Sequence, residues 1–114
     1  MPTSISRLRK VALALPESSE EPHFDLVSWR VGGRIFATVP NEAGRLRVFV
    51  TETEVAEMVA SDPAAYDAVH WGKRIAGVEV HLEAADEADV VALLQSGWRR
   101  KAPKRVVAAY DEQS

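Results

Sequence analysis

The chain has no cysteine among its 114 residues. That excludes a disulfide framework, a thiol nucleophile and any thiolate-held metal or iron–sulfur cluster. Long apolar runs are also missing. Behind the basic opening Arg7, Arg9 and Lys10 stands only the short segment Val11–Leu15, closed by Pro16. It is too short for a membrane span or a secretory leader, so the expectation is a cytoplasmic protein with no membrane partner. No glycine-rich loop precedes a Lys-Ser or Lys-Thr pair, and none of Ser18, Ser19, Ser28 or Ser61 sits in a nucleophile-elbow motif. His23, His70 and His81 are far apart and lack the His-Glu-x-x-His spacing that sets two ligands on one helical face. No catalytic residue, metal or cofactor is therefore expected.

What the chain does contain is 46% hydrophobic and 27% charged residues, the make-up of an ordinary globular domain. With no repeat or linker, a single domain over residues 1–114 is expected. The net charge of -3 is a poor starting point for nucleic-acid binding. Its distribution says more, because residues 98–105 carry five cations and no anion, whereas residues 51–97 are strongly acidic.

Patterning then suggests elements. Ser4 or Ser6 can cap a first helix with Leu8, Val11, Ala12 and Leu15 on one stripe. The acidic stretch ESSEEPHFD reads as a loop, and LVSWRV, RIFATV and LRVFV read as three antiparallel strands, the first two joined at Gly32-Gly33. Thr51 with Glu54 fits a capping box opening a helix over about 52–61, with Val55, Met58 and Val59 inward. Val69–Trp71 reads as a short strand before a turn at Gly77, and Val78, Val80 and Leu82 alternate with Glu79, His81 and Glu83 as a further strand. A last helix opens at Asp86 with Val90, Leu93, Leu94 and Trp98 on its stripe, and Pro103 breaks or ends it. The resulting order, α-β-β-β-α-β-β-α, predicts an α+β fold with helices packed against a mostly antiparallel sheet.

Leu15-Pro16, then Glu21, His23 and Phe24, the run Trp29–Ala37, Val69–Lys73 leading into GVEVHL, and Trp98 together resemble the MmcQ/YjbR family of small bacterial proteins over roughly residues 8–104. The resemblance implies a compact α+β fold of frataxin-like arrangement, often described as a double-wing DNA-binding domain. It does not carry iron binding with it, because the first helix is basic where a metal-binding ridge would be acidic.

DNA binding is what the resemblance suggests, and the residue chemistry offers phosphate-backbone contacts without a base-reading code. The candidates are Arg99, Arg100, Lys101, Lys104 and Arg105 at the C-terminal end, joined by Arg7, Arg9 and Lys10, and Arg30, Arg34, Arg45 and Arg47 on the hairpins. Helix-dipole complementation explains the C-terminal cluster equally simply. Double-stranded DNA is then the expected partner of a non-enzymatic protein, monomeric or homodimeric. The rival is a protein-interaction or structural domain that meets a protein partner through its acidic helix or an aromatic hairpin. A third reading, a ligand pocket, requires His23, Trp71 and His81 to converge in a cleft.

Overall fold

A computed structural model describes residues 3–113. Ser4 accepts the Arg7 backbone N–H at 3.2 Å and opens α1 (Ile5–Ala14), whose Ile5, Leu8 and Ala12 are buried. Four strands follow: β1 (Ser18–His23), β2 (Leu26–Val31), β3 (Arg34–Asn41) and β4 (Arg45–Val48). Thr51 accepts the Glu54 N–H at 3.2 Å to start α2 (Glu52–Ser61). The Glu54 carboxylate takes the Ser96 hydroxyl at 2.7 Å instead of returning to the cap, so half of the expected capping box becomes a tie between helices. The chain continues through β5 (Tyr66–Trp71), β6 (Arg74–His81), α3 (Glu87–Lys101) and α4 (Lys104–Gln113).

The six strands form one antiparallel sheet in the order β1-β2-β3-β4-β6-β5. Cross-strand partners share a face. One row runs Trp29, Ala37, Val48, Val78, Ala68 and meets the helices, with all but the partly buried Ala68 fully enclosed. The neighbouring row runs Glu21, Ser28, Thr38, Arg47, Glu79, Asp67 on the opposite face. The expected α+β class and antiparallel sheet hold, and the expected order gains a strand between the first helix and the first expected strand and a helix at its end. Among the described residues no helix is long and apolar enough to cross a membrane.

Two local expectations are corrected and a third, the break at Pro103, holds and gains an element beyond it. The stretch read as a loop contains β1, a strand with no apolar face of its own. Its ladder with β2 and the acceptance of the buried Trp29 indole N–H by Glu20 at 2.9 Å hold it, and an edge position tolerates Pro22. The β5–β6 turn lies at Gly72, with φ 62°, and not at Gly77. Gly77 lies within β6, where a Cβ would stand 2.5 Å from the Val48 carbonyl oxygen. Its missing side chain is a packing requirement rather than a turn requirement. Pro103 does break the last helix, but the segment beyond it is α4, seated by Val106 and by an edge-to-face contact of Tyr110 on Trp98 at 5.1 Å.

Two substitutions separate packing from conformation. Gly77→Ala is expected to cost about 2–3 kcal/mol by overpacking, and Gly33→Ala, at φ 79° with nothing near its Cβ, about 1 kcal/mol by backbone strain alone. Urea unfolding midpoints check the ranking. Tyr66 is 2% exposed and its hydroxyl has no hydrogen-bond partner. Burial, with Asp89, Asp62 and Asp86 nearby, pushes its pKa up to about 12. The unfolded chain loses this proton near pH 10, so stability tied to the protonated phenol is complete below about pH 10 and falls as pH rises toward 12. Wild type should lose roughly 1 kcal/mol more than Tyr66→Phe between about pH 10 and 11, measured by denaturant unfolding.

Candidate functional site

The structure divides the candidate cations into spent and unspent groups. Arg99 donates to both carboxylate oxygens of Asp111, at 3.1 and 2.5 Å, and lies 5.5 Å from the Tyr110 ring centre. Arg105 bonds Glu17 at 2.9 and 3.2 Å. Arg45 bonds Glu83 at 2.9 Å, Arg47 bonds Glu79 at 2.9 Å, and Arg30 is folded back on the Ser28 hydroxyl and the Pro22 carbonyl oxygen. Arg7 goes to Glu87, and Arg9 bridges Glu20 and Glu42. The paired carboxyls respond as expected. Hydrogen bonds from Arg7 and then Thr3 pull Glu87 down to about 2, and the Arg99 guanidinium lowers Asp111.

Among the described residues, Lys10, Arg34, Lys73, Arg74, Arg100, Lys101 and Lys104 have no ion pair, although Arg100 donates to the Phe49 carbonyl oxygen at 3.4 Å. Chain topology brings most of them to one end of the sheet. β3 starts there, β6 starts there after the Gly72 turn, and α3 ends there. Pro103 packs against the β2–β3 turn, where a Gly32 Cβ would stand 3.2 Å from its ring. This seats the α3 terminus beside Arg34. Burial, reinforced by Arg100 and Arg34, lowers the Lys101 pKa from the ordinary lysine value. Burial is the larger cause, and the two neighbouring guanidiniums add to it.

The same end opens into a cavity of about 430 Å³. Leu26, Ile35, Phe49 and Ile75 supply apolar lining, and Thr38 and Arg47 lie along the polar row. The two outermost hairpins meet across it: the His23–Asp25 turn comes from one sheet edge and Trp71 with Arg74 from the other, while Arg100 and Lys101 come from the end of α3. Trp71 is 64% exposed and rests on Phe49 with ring centres 5.3 Å apart. Phe24 is 93% exposed and holds φ 57°, a left-handed backbone that a non-glycine residue adopts at a cost. Thr38 is 4% exposed, and its hydroxyl has no protein partner.

His23 and Trp71 thus converge as the pocket reading requires, but His81 does not join them. It pairs with Asp67 at 2.6 Å. Among the described residues no group of three potential metal ligands gathers. Trp29, Phe36 and Trp98 lie in the core. Sequence reasoning missed Phe24, Thr38 and Arg74 as site residues. For Arg74 the signal was present in the mixed aromatic and basic segment His70–Arg74. For Thr38 it was hidden by the bulge near Phe36. Phe36 and Ala37 both enter the core, placing Ile35 and Thr38 together on the cavity side.

A family model described as YjbR matches residues 13–100. A solved structure of a Deinococcus radiodurans protein with the family domain DUF419 is similar at a TM-score of 0.73 and 22% identity, covering 86% of this chain and 80% of that one. At that identity the likeness shows the fold. No curated protein matches the chain.

The Phe24 turn yields a stability test. Phe24→Gly removes left-handed strain without removing buried surface, so the variant is expected to be roughly 0.5–1 kcal/mol more stable after glycine's greater unfolded-state entropy is subtracted. A lower urea midpoint would contradict the strained-turn account.

Proposed function

The chain belongs to the YjbR family, and on that premise we propose that it is a non-enzymatic, cytoplasmic DNA-binding module that grips mainly phosphates. The observation that carries this reading is the collection of cations without carboxylate partners, Arg34, Arg74, Arg100 and Lys101, at the end of the sheet where β3 and β6 start and α3 ends. Of the cations first considered, Arg34, Arg100, Lys101 and nearby Lys104 remain primary. Arg99, Arg105, Arg45 and Arg47 contribute only by giving up a carboxylate, and Arg30 only by leaving Ser28.

A net acidic protein can bind an anion when the local field is positive, because exposed charges beyond about 8 Å are largely screened at physiological salt. Phosphate contacts release condensed counterions and therefore weaken as salt rises. They position a nucleic acid without specifying its sequence.

Titration of labelled duplex and single-stranded DNA at several salt concentrations tests the proposal. Wild type should bind at low salt, and the log–log slope should shrink by roughly one for each of Arg34→Gln, Arg100→Gln and Lys101→Gln. Arg99→Gln and Arg105→Gln should leave it nearly unchanged, since those side chains are committed to Asp111 and Glu17. Absence of binding to either form at low salt, or binding insensitive to salt, overturns the reading.

A further inference from the structure

A phosphate grip needs cations and no aromatic cavity. Resting on the nucleic-acid reading above, we propose that this cavity receives an unpaired nucleotide of a single strand, its base against the Phe49–Trp71 pair and its flanking phosphates on Arg74, Arg100 and Lys101.

Size is the first argument. About 430 Å³ is the scale of a site for one small ligand, and it suits one nucleotide rather than a duplex. Surface composition is the second. Among the described residues only three large hydrophobic side chains are exposed, and two of them, Phe24 and Trp71, line this cavity. A base inside a duplex presents its edges, whereas an unpaired base presents a ring face, and aromatic side chains stack on that face without regard to sequence. Leu26, Ile35 and Ile75 extend the apolar lining.

Charge places the rest of the nucleotide. Asp25, beside Phe24, is the one acid of the lining and disfavours phosphate at that hairpin. Arg74 stands on the opposite outer hairpin, with Arg100 and Lys101 on α3, and none of the three is neutralised by an ion pair. Arg47 also faces the cavity, but Glu79 occupies its guanidinium. Thr38 supplies the remaining polar group. The residue is 4% exposed, and its hydroxyl, without a partner among the described residues, can donate to or accept from a base edge. Phe24 adds an independent sign, since a left-handed aromatic that is 93% exposed and touches only the neighbouring His23 ring, 4.8 Å away, among the aromatic side chains buries almost none of its surface in the free protein.

Tryptophan fluorescence of the full chain provides the test. Trp29 and Trp98 are fully buried, so quenching on ligand addition reports Trp71. The probes are a short oligothymidylate, the same oligonucleotide paired with its complement, a matching abasic strand, and thymidine monophosphate. The oligothymidylate should quench and should bind roughly tenfold or more tightly than the abasic strand, the size expected for one stacked base. Trp71→Ala and Phe24→Gly should each weaken it by roughly that factor, while leaving abasic-strand binding unchanged. Because Phe24→Gly is expected to be the more stable protein, its loss of affinity would not be unfolding. Thr38→Val should weaken the oligothymidylate by a smaller factor. Equal binding of duplex, abasic strand and oligothymidylate without quenching overturns the nucleotide site and leaves the phosphate grip standing. Binding of the monophosphate as tight as that of the oligothymidylate overturns the strand assignment in favour of a free-nucleotide site. No binding of any strand overturns the nucleic-acid reading itself.

Discussion

The pleat of one six-stranded sheet is the constraint on which the rest depends. Because successive side chains point to opposite faces, the row Trp29, Ala37, Val48, Val78, Ala68 and the row Ser28, Thr38, Arg47, Glu79, Asp67 are one residue apart in sequence and on opposite sides in space. The first row is the floor on which α2 and α3 pack, and Gly97 lets α3 approach until a Cβ there would touch Val48 at 3.0 Å. The second row is free of that apolar demand and can carry polar groups. A slip of one residue in a central strand would drive polar groups such as Thr38 or charges such as Arg47 and Glu79 into the core, so the cavity face is specified by the same register that specifies the fold.

The helices cover one face and fasten to it with charge as well as apolar surface. Arg7 to Glu87 links α1 to α3, Arg9 to Glu20 links α1 to β1, Arg105 to Glu17 holds α4 to the start of the sheet, and Arg99 to Asp111 clasps α3 to α4. Exposed pairs of this kind add little stability, but each removes a cation from the local field. The chain's charge is thereby sorted. Arginines on the helical side are matched by carboxylates, and the cations beside the Pro103 break, Arg100, Lys101 and Lys104, are not. Proximity in sequence concealed this difference, for Arg99 and Arg100 are neighbours with opposite fates.

Legibility followed the same physics. Elements that bury an apolar stripe, such as α1, α2, α3 and the Val78–Leu82 alternation, were readable because periodicity records burial. β1 was not, because Ser18–His23 contains the residues of a loop and becomes a strand only through β2. Gly77 was assigned to a turn because glycine in sequence does not say whether it supplies a positive φ, as Gly72 does, or an absent Cβ. Of the candidate site, the basic terminus was visible, while its division into paired and unpaired cations depended on Asp111 and Glu17, one within the next helix and the other distant along the chain.

The bulge near Phe36 joins these strands of reasoning. Without it, strict alternation would put Phe36 and Thr38 on one face and Ile35 and Ala37 on the other, and the aromatic ring would fill the space that is now the cavity. With the extra residue, Phe36 joins Ala37 in the core beneath Gly97, and Thr38 lies beside Ile35 on the other side. One irregularity therefore fills the hydrophobic interior and empties the facing surface. The aromatics that border the emptied surface, Phe24 and Trp71, are held there by turns whose backbones adopt positive φ at Phe24 and Gly72. Core packing would be satisfied with neither ring exposed. Their scaffold contacts, Trp71 on Phe49 and Phe24 on His23, leave most of each ring in solvent, so burial does not account for two large aromatics at this rim.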